Sequence, residues 1–119
     1  MARITVDELR SLMQRRPEPV VVDLRGAAER LGDGRAIPGA KAISLAELER
    51  RLADLPKDRD IIFYCSCPNE ASAASAAKAL HDLGYTRVRP LLGGLDAWID
   101  AGYDTMNFAS SGVASERSR

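Results

Sequence analysis

The chain has 119 residues, enough for one domain with a core of its own. Seventeen Lys and Arg residues balance seventeen Asp and Glu, and this argues against the strongly basic surface that nucleic acid calls for. No run approaches the ~20 apolar residues of a membrane helix, and Met1-Ala2-Arg3-Ile4-Thr5 lacks an apolar signal region, so the expected location is cytoplasmic.

Thr5 followed by Glu8 is a capping-box pattern. Leu9, Leu12 and Met13 then recur at helical spacing, which predicts a helix over 6–16, ended by Pro17 and Pro19. Val20, Val21 and Val22 are a β-branched run of the kind found in strands buried on both faces, with Asp23, Leu24 and Arg25 at its carboxyl end. Residues 26–36 are charged and read as a loop with room for one helical turn. Ile37-Pro38-Gly39-Ala40 is a turn, and Ala42 and Ile43 suit a very short strand. Ser44 and Glu47 form a second capping box, ahead of a helix carrying Leu45, Leu48 and Leu52 to about residue 54.

Ile61, Ile62, Phe63 and Tyr64 are a second buried-strand run, and 65–70 should be a loop. Ala73, Ala76, Ala77, Leu80 and Leu83 lie on one helical stripe over 71–83, with Gly84 as its carboxyl cap. A strand over 86–92 follows. Gly93-Gly94 turns the chain into a short helix over 95–101 that carries Trp98, a core residue by its apolar setting. The folded domain is expected over 1–106. Residues 107–119 are Ser-, Gly- and charge-rich and read as a disordered tail. Strands alternating with helices, the strands being continuous apolar runs, mean an α/β fold with a mainly parallel sheet. Ligands of such sheets bind beyond the carboxyl ends of the strands, which points to the loop after Tyr64.

That loop holds both cysteines, Cys65 and Cys67. One intervening residue closes too small a ring for a good structural disulfide. With His81 as the single histidine there are too few ligands for a four-coordinate zinc site, so no metal is expected. A reactive thiol is the reading that remains. A thiol between a strand end and a helix amino terminus meets unpaired backbone N–H groups and a favourable dipole, and these stabilise an anion. Against this, a cysteine ending a strand is often a small buried hydrophobe. The polar neighbours Ser66, Asn69, Glu70 and Ser72, with Pro68 stiffening the turn and Ala71 leading into the helix, make an unusual composition for a buried plug.

The order VVVDLR (20–25), IPGA (37–40), IIFYC (61–65), an Ala-rich helix and LGGLDAW (92–98) resembles a single-domain rhodanese over about residues 3–105. The resemblance implies a three-layer fold with a central five-stranded, mainly parallel sheet flanked by helices. It implies a catalytic cysteine that accepts sulfane sulfur from a donor such as thiosulfate and passes it to a thiol or cyanide, with no cofactor. Read from the strand, that cysteine is Cys65. Read back from Gly84 and the helix, it is Cys67. Cys65 is preferred because a strand end fixes geometry more tightly than an extendable loop, and Cys67 remains as alternative nucleophile or resolving thiol.

The loop 66–72 would then form the active-site cradle, with Asp23 and Arg25 supporting it or simply pairing with each other or with Glu29 at the surface. Arg87 and Arg89 are candidates for donor-binding charge, with surface solvation as the plainer fate. The string CSCPNEAS (65–72) also resembles rhodanese modules joined to DedA-type membrane proteins, and this implies a membrane-protein fusion or partner. Two departures stand out. Ala71 and Ser72 occupy the place where the family often has arginine, and Ala36 the place where it often has histidine. Glu70 disfavours an anionic donor by about 1 kcal/mol at 4 Å in water. A phosphatase or arsenate reductase on this fold needs a Cys-x5-Arg loop, and there is no arginine between Cys65 and Gly84. A non-catalytic binding or regulatory module is the other alternative.

Overall fold

The computed structural model describes residues 3–51, 55–65 and 71–107. Two central strands, β1 (Val20–Asp23) and β4 (Ile61–Tyr64), are buried at every position. Burial on both faces is why the sequence there runs continuously apolar instead of alternating. They pair in parallel from Val20↔Ile61 to Asp23↔Tyr64. β3 (Lys41–Ala42) flanks β1 and β5 (Val88–Pro90) flanks β4, giving a parallel sheet of order β3-β1-β4-β5.

Beyond β5, Ile4 adds one parallel rung. Its N–H donates to the Pro90 carbonyl at 3.0 Å, and its own carbonyl accepts from Leu92 N–H at 2.8 Å. Among the described residues the sheet therefore has four parallel strands and a one-residue bridge where five strands were expected. Thr5 follows Ile4 directly as the cap of α1 (Val6–Met13), so the chain has turned away before a fifth strand can extend.

Side-chain alternation along the strands divides the core in two. Val20, Val22, Ile61 and Phe63 face α3 (Leu45–Arg51) and α4 (Ala71–Asp82), where they pack with Leu48, Ala73, Ala76, Ala77 and Leu80. Val21, Ile62 and Tyr64 face α1 and α5 (Gly94–Asp100), where they pack with Leu9, Leu95 and Trp98. Both expected capping boxes form: Thr5 with Glu8, and Ser44 Oγ accepting from Glu47 N–H at 3.3 Å while Glu47 Oε1 accepts from Ser44 N–H at 3.1 Å.

α1 ends at Met13, short of residue 16, because Pro17 disfavours helical geometry at Arg16. The stretch 26–36 contains α2 (Ala27–Gly32), started by a hydrogen bond of 2.9 Å from Gly26 N–H to Glu29 Oε1. It also contains β2 (Arg35–Ala36), paired antiparallel with β6 (Met106–Asn107) in a small second sheet. Asn107 thus pairs within the folded unit, and the rest of the expected tail, 108–119, lies outside the described residues. No described helix is long and apolar enough to cross a membrane.

Candidate active site

Cys65 directly follows β4 at its carboxyl end. By strand alternation its side chain falls on the α4 side, grouped with Phe63, Leu24, Ala73 and Ala76, and the residue is 4% exposed. α4 begins at Ala71, which is exposed, and Ser72 is half-buried. Ser66, Cys67, Pro68, Asn69 and Glu70 lie outside the described residues, so the described part of the site consists of the two ends of the expected cradle.

The main chain of Cys65 is held from the opposite face. Gly94 opens α5 at φ +59°, and a Cβ placed on it would stand 2.4 Å from the Cys65 carbonyl oxygen. No real side chain tolerates such a contact, so α5 reaches the cysteine backbone only because residue 94 is glycine. Gly93, at φ +79°, has its own Cβ position 2.6 Å from Ala97 Cβ. The expected turn at Gly93-Gly94 is present, and with it comes a close approach of the helix. What the sequence did not disclose is that the close approach is to Cys65.

Beneath the site lies a buried polar network. Asp23 is 0% and Arg25 3% exposed. Arg25 Nε–H donates to both Asp23 carboxylate oxygens at 3.1 Å, and Nη2–H donates to Oδ2 at 2.8 Å. Arg25 also donates to the Asp33 and Arg35 carbonyls, each at 2.8 Å. The Arg25 backbone N–H donates to Asp23 Oδ1 at 2.9 Å. Two of these bonds tie the carboxyl end of the 26–35 excursion back to Arg25. The two residues do pair with each other as one sequence reading had it, but in the interior and not at the surface, because Leu24 and Arg25 continue the burial of β1.

Tyr64 joins the network next to Cys65. Its side chain hydrogen-bonds Asp23, and its hydroxyl accepts from Ile37 N–H at 3.3 Å. Burial, reinforced by the Asp23 charge, raises the Tyr64 phenol above its ordinary value. Burial opposes the charge on Arg25, but the hydrogen bond and charge of Asp23 outweigh it and leave the guanidinium pKa raised. Tyr64 was read from sequence only as part of an apolar run. A tyrosine at the last position of a fully buried strand was the available signal, since a buried hydroxyl requires a partner.

Other candidates fall away from this end of the sheet. Arg87 Nη2–H donates to Asp60 Oδ2 at 2.9 Å, and Arg89 lies 3.6 Å from Asp60 Oδ1. Asp60 precedes β4, so both arginines serve the amino-terminal end of that strand, opposite Cys65. His81 is exposed as expected, yet its Nε2 sits 2.9 Å from the Val88 carbonyl. Trp98 is core, with its indole N–H donating to the Asp104 carbonyl at 2.8 Å. Among the described residues no group of His, Cys, Asp and Glu has the makings of a metal site.

Residues 5–101 match the family profile of the rhodanese-like domain. A protein of Allochromatium vinosum named sulfurtransferase is 37% identical over 79 residues, spanning 66% of this chain and 70% of that protein. An HTH-type transcriptional regulator of Mycobacterium tuberculosis is 39% identical over 93 residues, spanning 76% of this chain but 40% of its own length. Among solved structures, a thiosulfate sulfurtransferase from Pseudomonas aeruginosa superimposes with a TM-score of 0.75 at 32% identity, over 90% of this chain and 20% of that one.

Proposed function

The chain belongs to the rhodanese-like domain family, and from that premise we propose that it is a sulfurtransferase carrying sulfane sulfur as a persulfide on Cys65. The observation that carries this reading is the position of Cys65 at the carboxyl end of a central parallel strand, directly ahead of the loop into α4. In sheets of this kind that position faces the ligand crevice. The named sulfurtransferases among its relatives support it.

The reaction has two steps and needs no cofactor. The Cys65 thiolate attacks the outer sulfur of thiosulfate. A Cys65 S–S bond forms, the bond between the two thiosulfate sulfurs breaks, and sulfite leaves with the electron pair, giving Cys65–S–S⁻. A nucleophilic acceptor then attacks the terminal sulfur. Cyanide leaves as thiocyanate, a thiol leaves as its persulfide, and the Cys65 thiolate is restored. Main-chain N–H groups between Ser66 and Ser72 would stabilise the persulfide anion. Glu70 disfavours thiosulfate as the cellular donor, and the cytoplasm, where thiols stay reduced, suits a thiol acceptor.

Intact-mass measurement of the reduced protein after thiosulfate treatment tests the reading. A gain of one sulfur atom, lost in Cys65→Ser and kept in Cys67→Ser, is the expected result. Gain kept in Cys65→Ser and lost in Cys67→Ser moves the nucleophile to Cys67. No gain in the folded wild-type chain removes the transferase reading. It would favour a regulatory module, which the partial match to a transcriptional regulator also supports.

A further inference from the structure

Beside β1 lies a cavity of about 270 Å³ lined by Val20, Lys41, Ile43, Leu48, Leu55, Pro56 and Arg59. Its lining runs along the sheet from Val20, which pairs with Ile61, past Lys41, which pairs with Val22, to Ile43, whose N–H donates to the Asp23 carbonyl. Cys65 is not among the described residues that line it.

The walls of the cavity belong to the core. Val20, Ile43 and Leu48 are buried members of the cluster beneath α3 and α4, and Leu55 packs against it. Among the described residues the charged side chains that line it are Lys41 and Arg59, and no described carboxylate does. The Lys41 side chain, on an exposed residue, makes no hydrogen bond or ion pair with any described residue. Arg59 donates Nε–H to the Glu18 carbonyl at 2.7 Å and has no carboxylate partner among the described residues. Arg25 pairs with Asp23, Arg35 with Asp33, and Arg87 and Arg89 with Asp60. Here two positive charges stand beside the hollow with no carboxylate partner among the described residues.

We propose that this cavity is a second binding site, for a small anion with an apolar body such as an aromatic or short-chain acyl carboxylate. The body packs against the Val20, Ile43, Leu48 and Leu55 walls, and the anionic head meets Lys41 and Arg59. The volume of about 270 Å³ is just below the ~300–1,000 Å³ of ordinary ligand pockets, which suits a compact ligand. The inference is independent of the persulfide reading, because no part of it involves Cys65.

The test uses anilinonaphthalene sulfonate as the anionic probe and N-phenylnaphthylamine, the same ring system without the sulfonate, as the neutral one. The sulfonate should bind saturably at one site in the native chain and equally in Cys65→Ser. The double charge reversal Lys41→Glu with Arg59→Glu should weaken it by about tenfold, while binding of the neutral probe is unchanged. Methyl NMR shifts on titration should concentrate at Val20, Ile43, Leu48 and Leu55. Undiminished sulfonate affinity in the folded double variant, loss of binding in Cys65→Ser, or shifts centred on other methyls would each overturn the proposal.

Discussion

Replacing Arg25 by methionine should be among the costliest single changes in this chain. The substitution removes the guanidinium that bonds the Asp23 carboxylate at 2.8 and 3.1 Å. It strands that carboxylate at a position with no solvent exposure. Its remaining partners are the Arg25 backbone N–H and the Tyr64 hydroxyl. The Asp33 and Arg35 carbonyls lose their donors as well. Breaking a buried pair from one side costs about 3–5 kcal/mol, a large share of the ~5–15 kcal/mol that holds a domain folded.

Removing both charges with Asp23→Leu and Arg25→Met leaves no buried ion unpaired, so the double variant should be more stable than Arg25→Met alone. Urea unfolding followed through the single tryptophan, Trp98, and through far-ultraviolet dichroism measures both. An Arg25→Met loss below about 1 kcal/mol at unchanged m-value, or a double variant less stable than the single one, would refute the claim that burial of the Asp23 charge dominates the energetics here.

Gly94→Ala places a methyl group 2.4 Å from the Cys65 carbonyl at φ +59°. The expected result is a loss of about 1–3 kcal/mol in the unfolding free energy together with slower persulfide formation, whereas Gly102→Ala, with open space around its Cβ position, should leave persulfide formation unchanged. Tyr64 holds its proton more tightly folded than unfolded. Its contribution to stability is complete below the unfolded value of about 10 and declines as pH rises above it. Tyr64→Phe should therefore flatten the alkaline decline in a series of denaturation curves. Arg35, by hydrogen bond and charge, holds the Asp33 carboxyl down at about 2. Its stabilisation is present above the ordinary 3.8 and lost as pH falls towards that lower value. Because the pair is largely exposed, Asp33→Asn should cost less than about 1 kcal/mol at neutral pH.

The central strands were legible because burial on both faces writes itself as VVV and IIFY. Helices α1 and α3 were legible because an apolar stripe and a capping box mark each, and α4 because its Ala-rich stripe ends at Gly84. Two-residue strands such as β2 and β6 are too short to show any period, and the antiparallel pair they form joins positions about seventy residues apart. The interior location of Asp23 and Arg25 was illegible for a related reason. Charged residues at a strand end read as surface unless the partner that neutralises them is known, and that partner comes from the way Arg25 folds back onto Asp23. Arg87 and Arg89 were ambiguous until Asp60 was seen to engage both. Half of the site, the loop 66–70, remains a sequence inference. Its two ends, Cys65 and Ala71, stand where a strand–loop–helix reading puts them.

The contact between Gly94 and the carbonyl of residue 65 is made by atoms that every amino acid shares. What seats that position is its backbone, and the thiol is an occupant of the seat. Exchange of the sulfur for an oxygen or a hydrogen would leave the helix against the strand end undisturbed. This scaffold can therefore give up its chemistry while keeping its shape, and a silent copy would be indistinguishable in outline from an active one.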